Sequence, residues 1–101
     1  MTKKEDRIRE ERDFAWIGDA VLALFARRWI LEHQDQFNHS KQDLFRWMTS
    51  NQFLSSLGKP TSIEAQIGKL YETQGWDACS EWISKEIVPL FVKQMKNRTR
   101  H

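Results

Sequence analysis

Two carboxylates stand where their surroundings demand a reason for them. Asp19 lies inside Trp16-Ile17-Gly18-Asp19-Ala20-Val21, within a nearly continuous apolar run from Phe14 to Ala26. A helix that is apolar all round is expected to be buried. An ionised acid in such a place needs a cation, hydrogen bonds or a metal. Glu64 lies inside Thr61-Ser62-Ile63-Glu64-Ala65-Gln66-Ile67-Gly68. Each acid has a glycine close by: Gly18 precedes Asp19, and Gly68 sits one helical turn after Glu64. A glycine inside a helix costs about 0.5–1 kcal/mol relative to alanine, so two of them imply a compensating gain. Close crossing of two helix backbones is that gain, and a crossing at Gly18 and Gly68 brings Asp19 and Glu64 together. Two carboxylates in one place repel unless a cation lies between them. Hard oxygen ligands completed by water suit Mg²⁺, with Mn²⁺ as a substitute. Such a metal activates a water and offsets the charge on a phosphate.

Simpler roles compete with this one. Thr61-x-x-Glu64 fits a capping box, in which Glu64 reaches back to the Thr61 N–H. Asp19 has potential cationic partners in Arg12 and Arg27. No motif places His33 or His39, and one cysteine with three scattered histidines makes no zinc-type cluster.

The elements that must position the two acids read as helices throughout. No sustained alternation of polar and apolar residues and no hairpin dipeptide occurs. Thr2 to Arg12 reads as a solvated helical turn or two, and a long helix is expected from Asp13 to His33. Gln34–Ser40 reads as a connection. Ser40 is an N-cap candidate for a helix carrying Leu44, Trp47 and Met48. A short helix is expected over Asn51–Leu57, stopped by Gly58 and Pro60. The next starts at Thr61 or Ser62 and is closed by Gly75. The last starts near Asp77 and carries Cys79, Trp82, Ile83, Ile87, Leu90 and Phe91 along one face, with Pro89 interrupting it.

With 101 residues, the chain is expected to form a single domain over 1–101, with a charged N-terminal segment over 1–12 and a basic tail over 97–101. A net charge of +2 permits nucleic-acid binding without demanding it. The tail taken alone reads as a frayed, solubilising end. Five Trp and six Phe are generous for this length and suggest a subunit interface beyond the core. A lone Cys79 excludes an internal disulfide, and the charged N-terminal segment lacks the apolar stretch of a secretion signal. Phe14–Ala26 is too short to span a bilayer. A cytoplasmic protein without membrane contact is expected.

Ala15-Trp16-Ile17-Gly18-Asp19-Ala20-Val21 resembles the signature helix of the ribonuclease III family. Ser62-Ile63-Glu64-Ala65-Gln66-Ile67-Gly68-Lys69-Leu70-Tyr71 resembles that family's second acidic helix, and Gln74-Gly75-Trp76-Asp77-Ala78 its glycine-containing turn before the last helix. The order matches, and the likeness covers most of the chain. It implies an all-α, homodimeric endonuclease domain that cuts double-stranded RNA with Mg²⁺. The chain has no room for a separate double-stranded-RNA-binding domain. That points to the Mini-III branch, which is the catalytic domain alone and matures ribosomal RNA ends; Arg27-Arg28-Trp29-Ile30-Leu31 also resembles it. By the resemblance, Asp19 and Glu64 are the catalytic metal ligands. Trp16, with Ile17 beside it, takes the dimer-interface position where the family plugs an aromatic into the partner. Arg27, Arg28 and Lys59 are candidate RNA contacts.

Ala15 and Thr61 stand where the larger enzymes of the family have further carboxylates, a departure that Mini-III enzymes share. Only 45 positions separate Asp19 from Glu64, because a longer insert of the family is missing. Three expectations therefore compete. One is a small Mg²⁺-dependent endoribonuclease, with one active site per strand across a dimer. The second is a non-catalytic ribonuclease III-like dimer that binds RNA or associates with the ribosome. The third is a helical dimer that binds only protein partners.

Overall fold

The computed structural model describes residues 2–98, and every described element is a helix. Helix α1 runs over Lys3–His33, followed by a short 3-10 turn at Gln34–Gln36. Helices α2 (Lys41–Met48), α3 (Asn51–Leu54), α4 (Pro60–Glu86) and α5 (Val88–Arg98) complete the chain. Thr99 to His101, the end of the expected basic tail, lie outside the described residues.

Helix α1 starts ten residues before Asp13. The charged segment is built of good helix formers, and the Thr2 hydroxyl caps it by accepting from the Glu5 N–H at 3.2 Å. At its far end His33 Nδ1 lies 2.7 Å from the Trp29 carbonyl, and the imidazole stacks on the Trp29 indole at 4.2 Å. The two contacts fix the histidine side chain against the last turns of the helix.

Ser40 caps α2 as expected, accepting from the Asp43 N–H at 3.1 Å. Ser50 does the same for α3 with the Phe53 N–H at 3.0 Å. Helix α3 stops at Leu54, earlier than Leu57, and the chain passes through turns to Gly58. Pro60 takes the first position of α4, where its missing N–H costs nothing. Within α4, Gly75 has φ 86° and ψ −178°. That conformation favours glycine, and it divides α4 into two limbs, the boundary that Gly75 marks in the sequence. In a straight helix, residues 12 apart are about 18 Å apart. Here the Cys79 thiol lies 3.4 Å from the Ile67 carbonyl, so the second limb folds back on the first. The break before α5 falls at Ile87, and Pro89 sits in the first turn of α5, where the helix tolerates it.

The core gathers one face of each helix. Leu22, Ile30, Leu44, Met48, Phe53, Leu54, Ile67, Cys79, Ile83, Ile87 and Phe91 are fully buried. An aromatic cluster ties the C-terminal helix down: Phe91 meets Phe53 at 5.7 Å and Trp29 at 5.8 Å, both edge-on. Trp47 Nε1 donates to Gln94 Oε1 at 3.2 Å, and the Arg98 guanidinium lies 3.7 Å from the Trp47 ring centre. Such contacts hold α5 against α2 with both apolar area and polar pairing. No helix among the described residues is long and apolar enough to cross a membrane.

Candidate functional site: a carboxyl pair at a glycine crossing

Helices α1 and α4 cross at their glycines. A Cβ on Gly18 would overlap the Glu64 carbonyl and stand 2.9 Å from the Gly68 nitrogen. A Cβ on Gly68 would overlap the Phe14 carbonyl and stand 2.9 Å from the Gly18 nitrogen. The contact is reciprocal backbone against backbone, and only glycine permits it at both positions. Both glycines are buried.

The crossing carries the two acids with it. Glu64 is half-buried beside the contact, with its carboxyl next to that of Asp19. Burial first, then the hydrogen bonding and the charge of Asp19, push the Glu64 carboxyl up to about 7. Below that pH the Glu64 carboxyl keeps a proton, which removes the repulsion between two like charges.

Three expectations need correction. Asp19 is exposed, because α1 is not buried all round. Trp16 is 79% exposed and Leu24 is exposed as well, so one stripe of the apolar run faces solvent. Asp19 therefore lies at the surface beside Glu64 rather than in the core. Glu64 is not a cap either. Pro60 opens α4 after Lys59, without a side-chain cap, which puts Glu64 beyond the first turn and out of reach of a capping box. Nor are the arginines spent on Asp19: the Arg27 guanidinium lies over the Phe45 ring at 4.3 Å and that of Arg28 over the Trp76 ring at 5.2 Å.

The remaining candidates are dispersed. Ile17 is half-buried and packs on the core, unlike its neighbour Trp16. Arg27 turns toward α2 and Arg28 toward the second limb of α4. Lys59 lines a separate cleft of about 510 Å³ with Arg7, Glu10 and Lys69. That cleft includes Ile63 and Ala65, on either side of Glu64 in sequence, but neither acid.

No family model, curated protein or solved structure matches the chain.

What the pair can do follows from its chemistry. Two oxygen-rich side chains, one held and one exposed, form an open two-carboxylate site. No set of three or more His, Cys, Asp or Glu side chains able to hold a metal occurs among the described residues. A cation here would rest on Asp19, Glu64 and water. This fits Mg²⁺, which keeps several waters and needs only one or two carboxylates. It does not fit zinc, which requires a nearly complete protein ligand set.

Sequence reasoning missed one feature, a groove between α1 and α2 of about 550 Å³. The period of α1 gives a partial signal for it. Leu24 and Leu31 fall on the side of the helix away from its buried residues.

Proposed function

We propose that this chain is a Mg²⁺-dependent endoribonuclease of ribonuclease III type that acts as a homodimer on structured or double-stranded RNA. One observation carries the reading: the Asp19 and Glu64 carboxyls lie together beside a crossing that only Gly18 and Gly68 permit. A structural crossing needs the glycines but not the acids. A half-buried acid raised by its surroundings and an acidic neighbour is the kind of group found at functional sites.

A divalent cation bound by the pair would supply charge neutralisation at the phosphate and a more acidic water. Asp19, at the surface, would offer its oxygens first. Glu64 would give up its proton as the cation binds and would fix the direction of approach, because its backbone is locked against Gly18. Trp16, exposed one turn before Asp19 on the same helix, supports the dimer, and the precursors of ribosomal RNA are the substrate that the Mini-III resemblance suggests.

The test is cleavage of a labelled RNA duplex by purified protein with Mg²⁺ or with EDTA, alongside Asp19→Asn and Glu64→Gln. Cleavage that needs Mg²⁺ and both acids is expected. The two-carboxylate site itself favours a second reading, a non-catalytic RNA-binding dimer. Salt-sensitive duplex binding without any cleavage would establish it.

A further inference from the structure

The groove between α1 and α2 has a composition that neither the carboxyl pair nor the Trp16 position uses. Its floor is apolar: Ile30 is buried, Phe45 half-buried, and Leu31 60% exposed. Its rim is cationic: Arg27, Lys41 and Arg46 line it, and all three are exposed. Arg46 has only a loose pair with Asp43 at 3.6 Å, with both side chains largely in solvent. Lys41 has no carboxylate partner among the described residues. From Lys41 to Thr49 the α2 wall offers about 12 Å of length, a little over two helical turns.

We propose that this groove docks an acidic amphipathic helix of a protein partner. Leucine-type side chains spaced one turn apart would cover Leu31 and Phe45, and flanking glutamates would meet Arg27, Lys41 and Arg46. This is the helix-in-groove mode, with anchors at i, i+3, i+4 and i+7. The chemistry favours a peptide over a nucleic acid. A phosphate backbone would satisfy the cations and leave exposed Leu31 uncovered. The proposal does not depend on the ribonuclease reading.

The experiment is fluorescence anisotropy on the full chain with a labelled synthetic helix of about 14 residues, four turns, carrying leucines on one face and glutamates beside them. A peptide with lysines in place of the glutamates is the control. The acidic peptide is expected to bind and the basic one not. Affinity is expected to fall about tenfold in Lys41→Glu/Arg46→Glu and again on raising salt from about 50 to 500 mM. Leu31→Asp, at an exposed position, is expected to abolish binding while the circular dichroism spectrum stays unchanged. Equal binding of both peptides, or no binding of either, overturns the proposal. Displacement of the peptide by a short RNA duplex overturns it in favour of nucleic acid. Displacement by unlabelled protein, together with loss of self-association in Leu31→Asp, overturns it in favour of a second copy of the chain.

Discussion

Glu64→Gln separates the proton from the carboxylate at the crossing, and its effect on stability depends on pH in a specified way. The Glu64 carboxyl sits at about 7 in the folded chain against an ordinary value of 4.5. The folded state therefore holds a proton that the unfolded chain has released between those values. Stability from this group is complete below about pH 4.5, falls as pH rises through the window, and is flat above about 7. At 1.36 kcal/mol per pH unit the whole shift would correspond to about 3.4 kcal/mol. Glu64 is only half-buried, and solvent screening reduces the expected cost to about 1–2 kcal/mol. Glutamine keeps the size and a donor toward Asp19 but never ionises. At pH 8 in EDTA, Glu64→Gln is expected to melt higher than the wild type by roughly 4–16 °C, using about 4–8 °C per kcal/mol for a domain of this size. At pH 4.5 the two should melt together. Addition of Mg²⁺ at tenfold its Kd should return about 1.4 kcal/mol to the wild type and nothing to the variant. Thermal melts at both pH values, with and without Mg²⁺, measure all of this. A variant less stable than the wild type at pH 8 would refute the shared-proton account of the pair.

Three further outcomes test the frame around it. Gly18→Ala places a methyl group against the Glu64 backbone, which cannot move aside as a side chain would, and should cost about 3 kcal/mol or more in urea denaturation. Gly75→Ala meets nothing within 4 Å, but φ 86° with ψ −178° is a conformation essentially reserved for glycine, and the change should cost about 1–3 kcal/mol from backbone strain alone, read by urea denaturation. Trp16→Ala, at a side chain 79% exposed, should leave the stability of the dilute monomer within about 0.5 kcal/mol while lowering the sedimentation-derived mass at micromolar concentration.

The crossing was legible in the sequence because glycine is expensive in a helix interior and two such glycines flank two acids. The caps at Ser40 and the breaks at Gly75 and Pro89 were legible for similar local reasons. What the sequence hid depends on tertiary packing. The apolar run from Phe14 to Ala26 reads as buried all round. Yet the domain has too few partners to cover α1, and Trp16, Leu24 and Leu31 stay in solvent. Asp19 comes to the surface with them. The role of Glu64 was ambiguous because Thr61-x-x-Glu64 matches a capping box, and a start two residues earlier, with Lys59 rather than Thr61 at the N-cap, decided against it. Arg27 and Arg28 are adjacent in sequence and alike in charge. A rotation of about 100° per residue sends one to Phe45 and the other to Trp76, a divergence no pairwise motif encodes.

The stripe of α1 that the core leaves bare bears directly on how a two-carboxylate site works at all. A site with four acids can hold a cation by charge alone. With Asp19 and Glu64 only, each side chain must already be near its bound position, because every rotamer frozen on binding subtracts from a small electrostatic gain. The contact at Gly18 fixes the backbone that carries Glu64, and Asp19 lies beside it. On the proposed reading the exposure of Asp19 would be an advantage, since a hydrated Mg²⁺ could reach it without shedding most of its waters. The glycines would then serve the metal site chemically as well as sterically. A Gly68→Ala variant that still folds should lose Mg²⁺ affinity even though both carboxylates remain. Isothermal titration of that variant with Mg²⁺ shows the effect directly, and unchanged affinity would mean that the crossing supports the fold alone.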